Sequence, residues 1–69
     1  MAQVVASTRA RSGAVQQDGR QWVTEVFIID DGTTRQSVYL AEAGAPDADL
    51  DSHLAEMVTG WNQTLADGG

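Results

Sequence analysis

Few residues in this 69-residue chain could do chemistry. It has one histidine, His53, and no cysteine, which excludes disulfides and thiolate metal sites. His53 falls at the edge of a predicted helix beside polar positions, which favours a surface or boundary histidine over a general base. No serine lies in a nucleophile-elbow pattern, and no glycine-rich phosphate loop is present. The sequence therefore predicts a protein that is not an enzyme and has no cofactor.

One acidic run resembles a metal-binding motif. Asp47, Asp49 and Asp51 have the spacing of the first three acids in a calcium-binding loop. The motif then fails, because Ser52 occupies the position that requires glycine and Val58 the position that requires glutamate. Acidic residues at the start of a helix explain the run better, since they complement the positive end of the helix dipole. We predict no metal site.

Charge and hydropathy narrow the range of partners. Four arginines stand against ten acidic residues, and the net charge is −6. An acidic chain is poorly suited to direct binding of nucleic acid, whose phosphates attract basic residues. The longest apolar run, Val26 to Ile29, is far shorter than the roughly 20 residues that span a bilayer, and the first residues lack the pattern of a secretion signal. We expect a chain made in a cytoplasm, with no nucleic acid, membrane or small-molecule substrate as partner.

The stretch from Trp22 to Ala41 is the element around which these residues are organised. It predicts two β-strands, at residues 21–30 and 33–41, joined by a two-residue type I′ turn at Asp31-Gly32. With this turn, Phe27 lies opposite Gln36 in the hairpin. Successive side chains of a strand point to opposite faces, so this register decides the composition of each face.

Both faces of the predicted hairpin are apolar. One face carries Val23, Glu25, Phe27, Ile29, Val38 and Leu40. The other carries Trp22, Thr24, Val26, Ile28, Arg35, Ser37, Tyr39 and Ala41. A soluble hairpin normally hides one face and exposes the other to water, so two apolar faces require two covers.

The C-terminal segment predicts a strongly amphipathic helix. Its apolar residues fall within a stripe about 100° wide, formed by Leu50, Leu54, Met57, Val58, Trp61 and Leu65. Asp47 or Asp49 is expected to cap its start, and Gly68-Gly69 to end it. Gly60 in its middle indicates either close approach of another backbone or a tolerated weakness, and both explanations stay open.

The predicted fold class is α+β: a small antiparallel β-hairpin or three-stranded sheet with one C-terminal amphipathic helix packed on it. Residues 1–13 form an N-terminal arm, in which Gln3 to Thr8 could be a short strand and Arg9 to Gly13 a linker. The arm either pairs along the hairpin edge or reaches a neighbouring molecule. Residues 14–69 form a single small ββα domain.

One helix can cover only one face of the hairpin. We assign it to the face of Val23, Phe27 and Leu40, where Glu25 either lies at the rim or indicates that the faces are reversed. The other face is left without a cover, and exposed apolar patches tend to be contact sites with aromatic anchors. The predicted partner-binding residues are those of the uncovered face together with four from the arm: Trp22, Val26, Ile28, Tyr39, Val4, Val5, Arg9 and Arg11.

The chain also resembles a known group of proteins. The residues Asp18-Gly19-Arg20, then Trp22 to Val26, Gly32, Tyr39 to Glu42 and the closing helix are similar to short virion-associated structural proteins of tailed bacteriophages, over about residues 18–65. The resemblance implies a structural component of the virion. A subunit of the tail, baseplate or neck is preferred to a capsid decoration protein. The resemblance also implies binding to other virion proteins and to copies of itself, after synthesis in the host bacterial cytoplasm. Phe27-Ile28-Ile29 departs from the pattern by being more apolar.

The acidic charge supports an alternative function. A regulatory or inhibitory binding protein could use its negative charge to imitate nucleic acid and act on a host factor. This alternative requires the acidic residues to line one surface.

Overall fold

Three β-strands and one helix make up the structure, a computed structural model that describes residues 2–68. In chain order they are β1 (Val4–Val15), β2 (Arg20–Ile29), β3 (Thr34–Glu42) and α1 (Asp47–Ala66). The strands form one sheet in the order β1-β2-β3, and both pairs of neighbours are antiparallel. The predicted α+β fold is confirmed, in its three-stranded form.

The N-terminal segment is the first strand of the sheet. β1 pairs with β2 along its length, from Val4 opposite Ile29 to Val15 opposite Gln21, and its register shifts at two places. Of the two paths left open for this segment, the structure shows pairing within the same chain. The linker predicted at residues 9–13 is wrong, because β1 continues through it.

The turn between β2 and β3 has three residues, Asp30-Asp31-Gly32, instead of the predicted two. The N–H of Ile29 donates to the carbonyl of Thr33 at 2.9 Å, and the N–H of Gly32 donates to the carbonyl of Ile29 at 3.0 Å. Gly32 has a φ of +90°, whereas no non-glycine residue in the described range has a positive φ, which excludes a type I′ turn. Asp31 instead accepts hydrogen bonds from the hydroxyl and the N–H of Thr33, which lower the pKa of its carboxyl.

The longer turn shifts the register of β3 by one residue. Phe27 lies opposite Arg35, one residue before its predicted partner. Because side chains alternate along a strand, this shift moves every β3 side chain to the other face. Tyr39 therefore faces the helix, and Val38 and Leu40 face away from it. The prediction that the helix covers these two residues is wrong.

The core lies between the sheet and α1. Its buried residues are every second residue of β2 and one helix residue: Val23, Glu25, Phe27, Ile29 and Leu50. The Trp61 ring packs near the Phe27 ring, with 6.3 Å between their centroids. The structure thus confirms that the face of Val23, Phe27 and Ile29 is the one covered by the helix.

The ends of α1 differ in how they are closed. The helix begins at Asp47 after Pro46, with no side-chain cap, so the predicted cap by Asp47 or Asp49 is wrong. Both acids lie in the first turn, where they complement the helix dipole. At the other end Gly68, with a φ of +80°, donates its N–H to the carbonyl of Leu65 at 3.1 Å.

Gly60 lies in the middle of α1 beside open space. A methyl group added there would meet no described atom within 4 Å. The close approach of another backbone, one of the two explanations left open for this residue, is therefore absent from the described part of the chain. What remains is a weak point in the helix, costing about 1 kcal/mol relative to alanine.

Replacing Gly60 with alanine is expected to raise the free energy of unfolding by about 0.5–1 kcal/mol, because it removes backbone entropy from the unfolded chain. Urea denaturation followed by circular dichroism measures the change. The matched control is Gly32→Ala, whose added methyl group also meets open space. Its φ of +90° makes alanine unfavourable there, by about 1–2 kcal/mol. Effects of the same sign in both variants would contradict this explanation.

Candidate functional site

The face of the sheet opposite α1, here called the outer face, has no cover in the described structure. Between the charged cross-strand pair Arg20 and Glu42 at one end and the β2–β3 turn at the other, strand alternation places eleven side chains on it: Ala6, Thr8, Ala10, Trp22, Thr24, Val26, Ile28, Thr34, Gln36, Val38 and Leu40. None of them carries a charge. Trp22 is 42% exposed, Ile28 44% and Val38 52%, values unusual for large apolar side chains grouped together. The outer face is thus the main candidate for a binding site.

The structure changes which predicted residues belong to this site. Trp22, Val26 and Ile28 lie together on the outer face, as predicted. Tyr39 does not join them, because the register shift turns it toward the helix. Its place is taken by its neighbours in β3, of which Leu40 lies opposite Trp22. Asp30 favours a turn as much as Asp31 does, so the sequence is compatible with a three-residue turn as well as a two-residue one. Choosing the three-residue turn would have identified these β3 residues as part of the outer face.

Three of the four predicted arm residues, Val4, Arg9 and Arg11, make polar contacts within the chain, and Val5 is exposed. The N–H of Val4 donates to Oδ1 of Asn62 in α1 at 2.8 Å. Val5 lies at the first register shift of β1 and is 57% exposed. Arg9 and Arg11 are on the helix side of the sheet, opposite Glu25 and Val23 of β2, and not on the outer face.

Both arginines bind the start of α1. Nε of Arg9 lies 2.6 Å from Oδ1 of Asp51, and this hydrogen bond raises the pKa of Arg9. Arg11 lies 3.3 Å from Oδ1 of Asp47 and donates to the carbonyls of Ala43 and Ala45 in the connector before the helix. These contacts fasten β1 to the helix, so the two arginines already have partners within the chain.

The outer face has distinct ends. Arg20 and Glu42 are cross-strand partners at one end. Beside them, a shallow depression of about 470 Å³ is lined by Trp22 and Leu40 and by the β1–β2 loop at residues 16–18. Asp30 follows β2 at the other end and accepts a hydrogen bond from the N–H of Gln3 at 3.3 Å. An apolar centre between charged ends is the usual plan of a protein interface.

The helix-covered face contains a polar cluster that the sequence did not predict. Glu25 is fully buried, and its Oε2 lies 2.8 Å from Nδ1 of His53. The His53 ring stacks on Tyr39, with centroids 4.0 Å apart and 27° between planes. Oε1 of Glu25 and the hydroxyl of Tyr39 are buried without a hydrogen-bond partner in the described structure. Desolvation raises the pKa of Tyr39, and the charge of Glu25 adds to the effect.

A histidine–carboxylate pair could act as a general base only beside a space for substrate. The depression near Trp22 and a second one of about 240 Å³, beside Gly60 and Trp61 on the helix, are lined by other residues. Two features of the sequence indicated this pair. Glu25 is a charged residue among the alternating apolar residues of β2 that face the core, and the chain's single histidine lies on the predicted helix. Its geometry suits a structural contact between sheet and helix.

Comparison with protein-family models, with curated proteins and with solved structures found no match to this chain. Within residues 2–68 no group of three or more histidine, cysteine, aspartate or glutamate side chains could hold a metal ion. In that same range no helix has the length and apolar character to cross a membrane.

The buried pair predicts unequal effects of removing its two members. His53→Phe keeps a ring to stack on Tyr39 but leaves the carboxylate of Glu25 buried and unpaired, and we expect it to lower the free energy of unfolding by about 2–3 kcal/mol. Glu25→Met removes the buried charge and is expected to stay within about 1 kcal/mol of the wild type. The double variant should resemble Glu25→Met. Urea denaturation of all four proteins gives the coupling energy, and equal losses in the two single variants would contradict this prediction.

The raised pKa of Tyr39 predicts that the folded protein loses stability in alkali. This pKa is raised above the ordinary 10.0, so folding favours the neutral phenol. The resulting stability is complete below pH 10 and is lost as the pH rises through the folded-state pKa. The chain has one tyrosine, so tyrosinate absorbance reports this titration directly. Tyr39→Phe should remove the alkaline decline, and an unchanged decline in that variant would assign it to another group.

Proposed function

We propose that this chain is a non-enzymatic structural subunit of a tailed-phage particle, which binds a neighbouring subunit through the outer face. The observation that carries the proposal is the outer face itself, whose centre is uncharged and largely apolar on a small acidic protein. Water-exposed apolar patches of this kind on small proteins are typically contact sites. Trp22 lies on it and is partly exposed, and tryptophan is a frequent anchor of interfaces.

The small core supports the same proposal. Only Val23, Phe27, Ile29 and Leu50 are buried apolar residues in the described structure. A chain of this length buries only about 60% of the surface that its unfolded form exposes, so its stability alone is marginal. Burying the outer face against a neighbour adds stability in proportion to the apolar area removed from water. A subunit of an assembly can therefore gain from its neighbour the stability that its small core does not supply.

The particle and its location are proposed from the resemblance over residues 18–65 to short virion proteins. A tail, baseplate or neck subunit is preferred to a capsid decoration protein. The partners are other virion proteins and copies of the same chain, and the chain is located in the virion after synthesis in the host bacterial cytoplasm. The resemblance includes Trp22, which belongs to the outer face.

The positions of the acidic residues favour this function over an inhibitor that imitates nucleic acid. Such an inhibitor presents a continuous, unpaired acidic surface. Here the acidic start of α1 is met by basic side chains, since Asp47 and Asp51 contact Arg9 and Arg11. The negative charge is therefore partly neutralised where it is densest.

Mass spectrometry of purified particles tests the proposal. We expect the chain to be present in many copies in particles of the phage that encodes it. Trp22→Ala should reduce its incorporation strongly, because the variant lacks the aromatic anchor of the outer face. The matched control is Gln63→Ala on the exposed side of α1, which should be incorporated like the wild type. Absence of the chain from particles would contradict the proposed function.

A further inference from the structure

The strand β3 has an open edge, because it is an end strand of the sheet. Its pairing with β2 continues over nine residues without a register shift. In an antiparallel ladder, alternate residues point their N–H and C=O groups toward the same neighbour. The hydrogen bond from the N–H of Ile29 to the carbonyl of Thr33 places the odd-numbered residues of β3 in the ladder with β2. The backbone groups of Gln36, Val38 and Leu40 therefore point outward from the sheet.

The other edge of the sheet, along β1, is less regular. Two register shifts interrupt its pairing, one between Val4 and Ala6 and one between Arg11 and Val15. Such irregularities are a usual protection of a sheet edge, and so are lysine and proline. β3 contains no register shift, no lysine and no proline. It is thus the edge that is better suited to accept a further strand.

The helix leaves room above the edge of β3. α1 packs mainly against β1, at the far side of the sheet. A hollow of about 240 Å³ on its flank is lined by Met57, Gly60, Trp61 and Thr64. This flank faces β3, because the guanidinium of Arg35 lies 5.9 Å from the centre of the Trp61 ring. A side chain of an added strand can enter the hollow, since Gly60 has no side chain to fill it.

The same flank of the helix is acidic. Asp49, His53, Glu56 and Gly60 follow one another every three or four residues, so they share one side of α1. That side is the one toward β3, because the His53 ring stacks on Tyr39. Asp49 and Glu56 are exposed and form no ion pair within residues 2–68. The acids on the other flank differ, since arginines of β1 bind them.

We propose that the edge of β3 binds an extended, positively charged segment of another protein, which adds to the sheet as a fourth strand. Backbone hydrogen bonds to Gln36, Val38 and Leu40 hold the segment, and its alternate side chains face the helix. An apolar side chain fills the hollow beside Gly60, and basic ones reach the acidic flank at Glu56. The net charge of −6 attracts such a segment and opposes the approach of a second copy of this chain.

Arg35 does not reverse this choice of partner, although it is a cation close to the hollow. Its guanidinium already lies over the Trp61 ring and donates to the carbonyl of Thr34 at 3.4 Å. An acidic segment would gain one cation there and would face the unpaired carboxylates of Asp49 and Glu56 along the same groove. A basic segment is therefore the better match in charge.

A peptide titration followed by NMR tests the proposal on the isotope-labelled full chain. The probe is the blocked peptide Thr-Lys-Thr-Val-Thr-Lys-Thr, whose palindromic sequence permits either strand direction. We expect saturable binding, with the largest amide shifts at Gln36, Val38 and Leu40. The same peptide with glutamate in place of lysine should bind roughly tenfold more weakly or worse. No binding of the lysine peptide, or shifts concentrated in β1, would overturn the inference.

Two substitutions that leave the charge unchanged separate strand addition from general attraction to an acidic protein. Val38→Pro removes an outward N–H, at an edge position where proline is tolerated, and Val38→Ala is its control. Gly60→Leu fills the hollow, and Thr59→Leu adds the same bulk on the exposed side of α1. We expect roughly tenfold weaker binding in Val38→Pro and Gly60→Leu and little change in the two controls.

Circular dichroism establishes that each variant is folded, and Gly60→Leu decides alone if Val38→Pro does not fold. Folded test variants that bind the lysine peptide as tightly as their controls would overturn the inference.

This inference goes beyond the proposed function, because it concerns the edge of the sheet and holds for a chain outside a virion as well. A chain that binds the peptide at β3 but is absent from particles contradicts the virion function alone. A chain that is abundant in particles but does not bind the peptide overturns the inference alone.

Discussion

The three-residue turn at Asp30-Asp31-Gly32 fixes the register between β2 and β3, and the composition of both sheet faces depends on it. Gly32 takes the left-handed conformation that closes the turn, while the carboxylate of Asp31 binds the N–H and hydroxyl of Thr33. A turn shorter by one residue would exchange the two sets of β3 side chains. Tyr39 would then lose His53, and Leu40 would move off the outer face. The turn therefore determines the helix contact and the candidate interface together.

The buried Glu25 makes the helix-covered face specific as well as apolar. An unpaired carboxylate in the core would be costly, so the packing is favourable only where His53 meets it. That requirement fixes the position of α1 along the sheet. The two arginines of β1 act in the same direction, since they hold the acidic first turn of the helix. Polar contacts thus align an interface whose cohesion comes from Val23, Phe27 and their apolar neighbours.

The sequence predicted the parts of this fold that depend on the regular spacing of apolar residues along a strand or a helix. The alternation of Val23, Phe27 and Ile29 identified the buried side of β2, and the stripe containing Leu50 identified the helix. The turn could not be decided in the same way, because Asp30 and Asp31 both favour turns and β3 has apolar residues on either face. Both registers leave an apolar hairpin, so burial alone does not choose between them. Glu25 on the covered face indicated a polar partner on the helix, found in His53, but that contact does not decide how β3 pairs.

Part of the candidate site was predictable for the same reason. Trp22, Val26 and Ile28 belong to β2, whose buried side is unambiguous. They lie on the uncovered face in either register of β3. The β3 members of the site depended on the turn and were missed. The strand β1 removes one possible cover of the outer face, because it extends the sheet at its edge instead of folding across it. Since α1 lies on the other side, the chain has no further element in its described range to cover this surface, and the large side chains of Trp22, Ile28 and Val38 stay exposed on it.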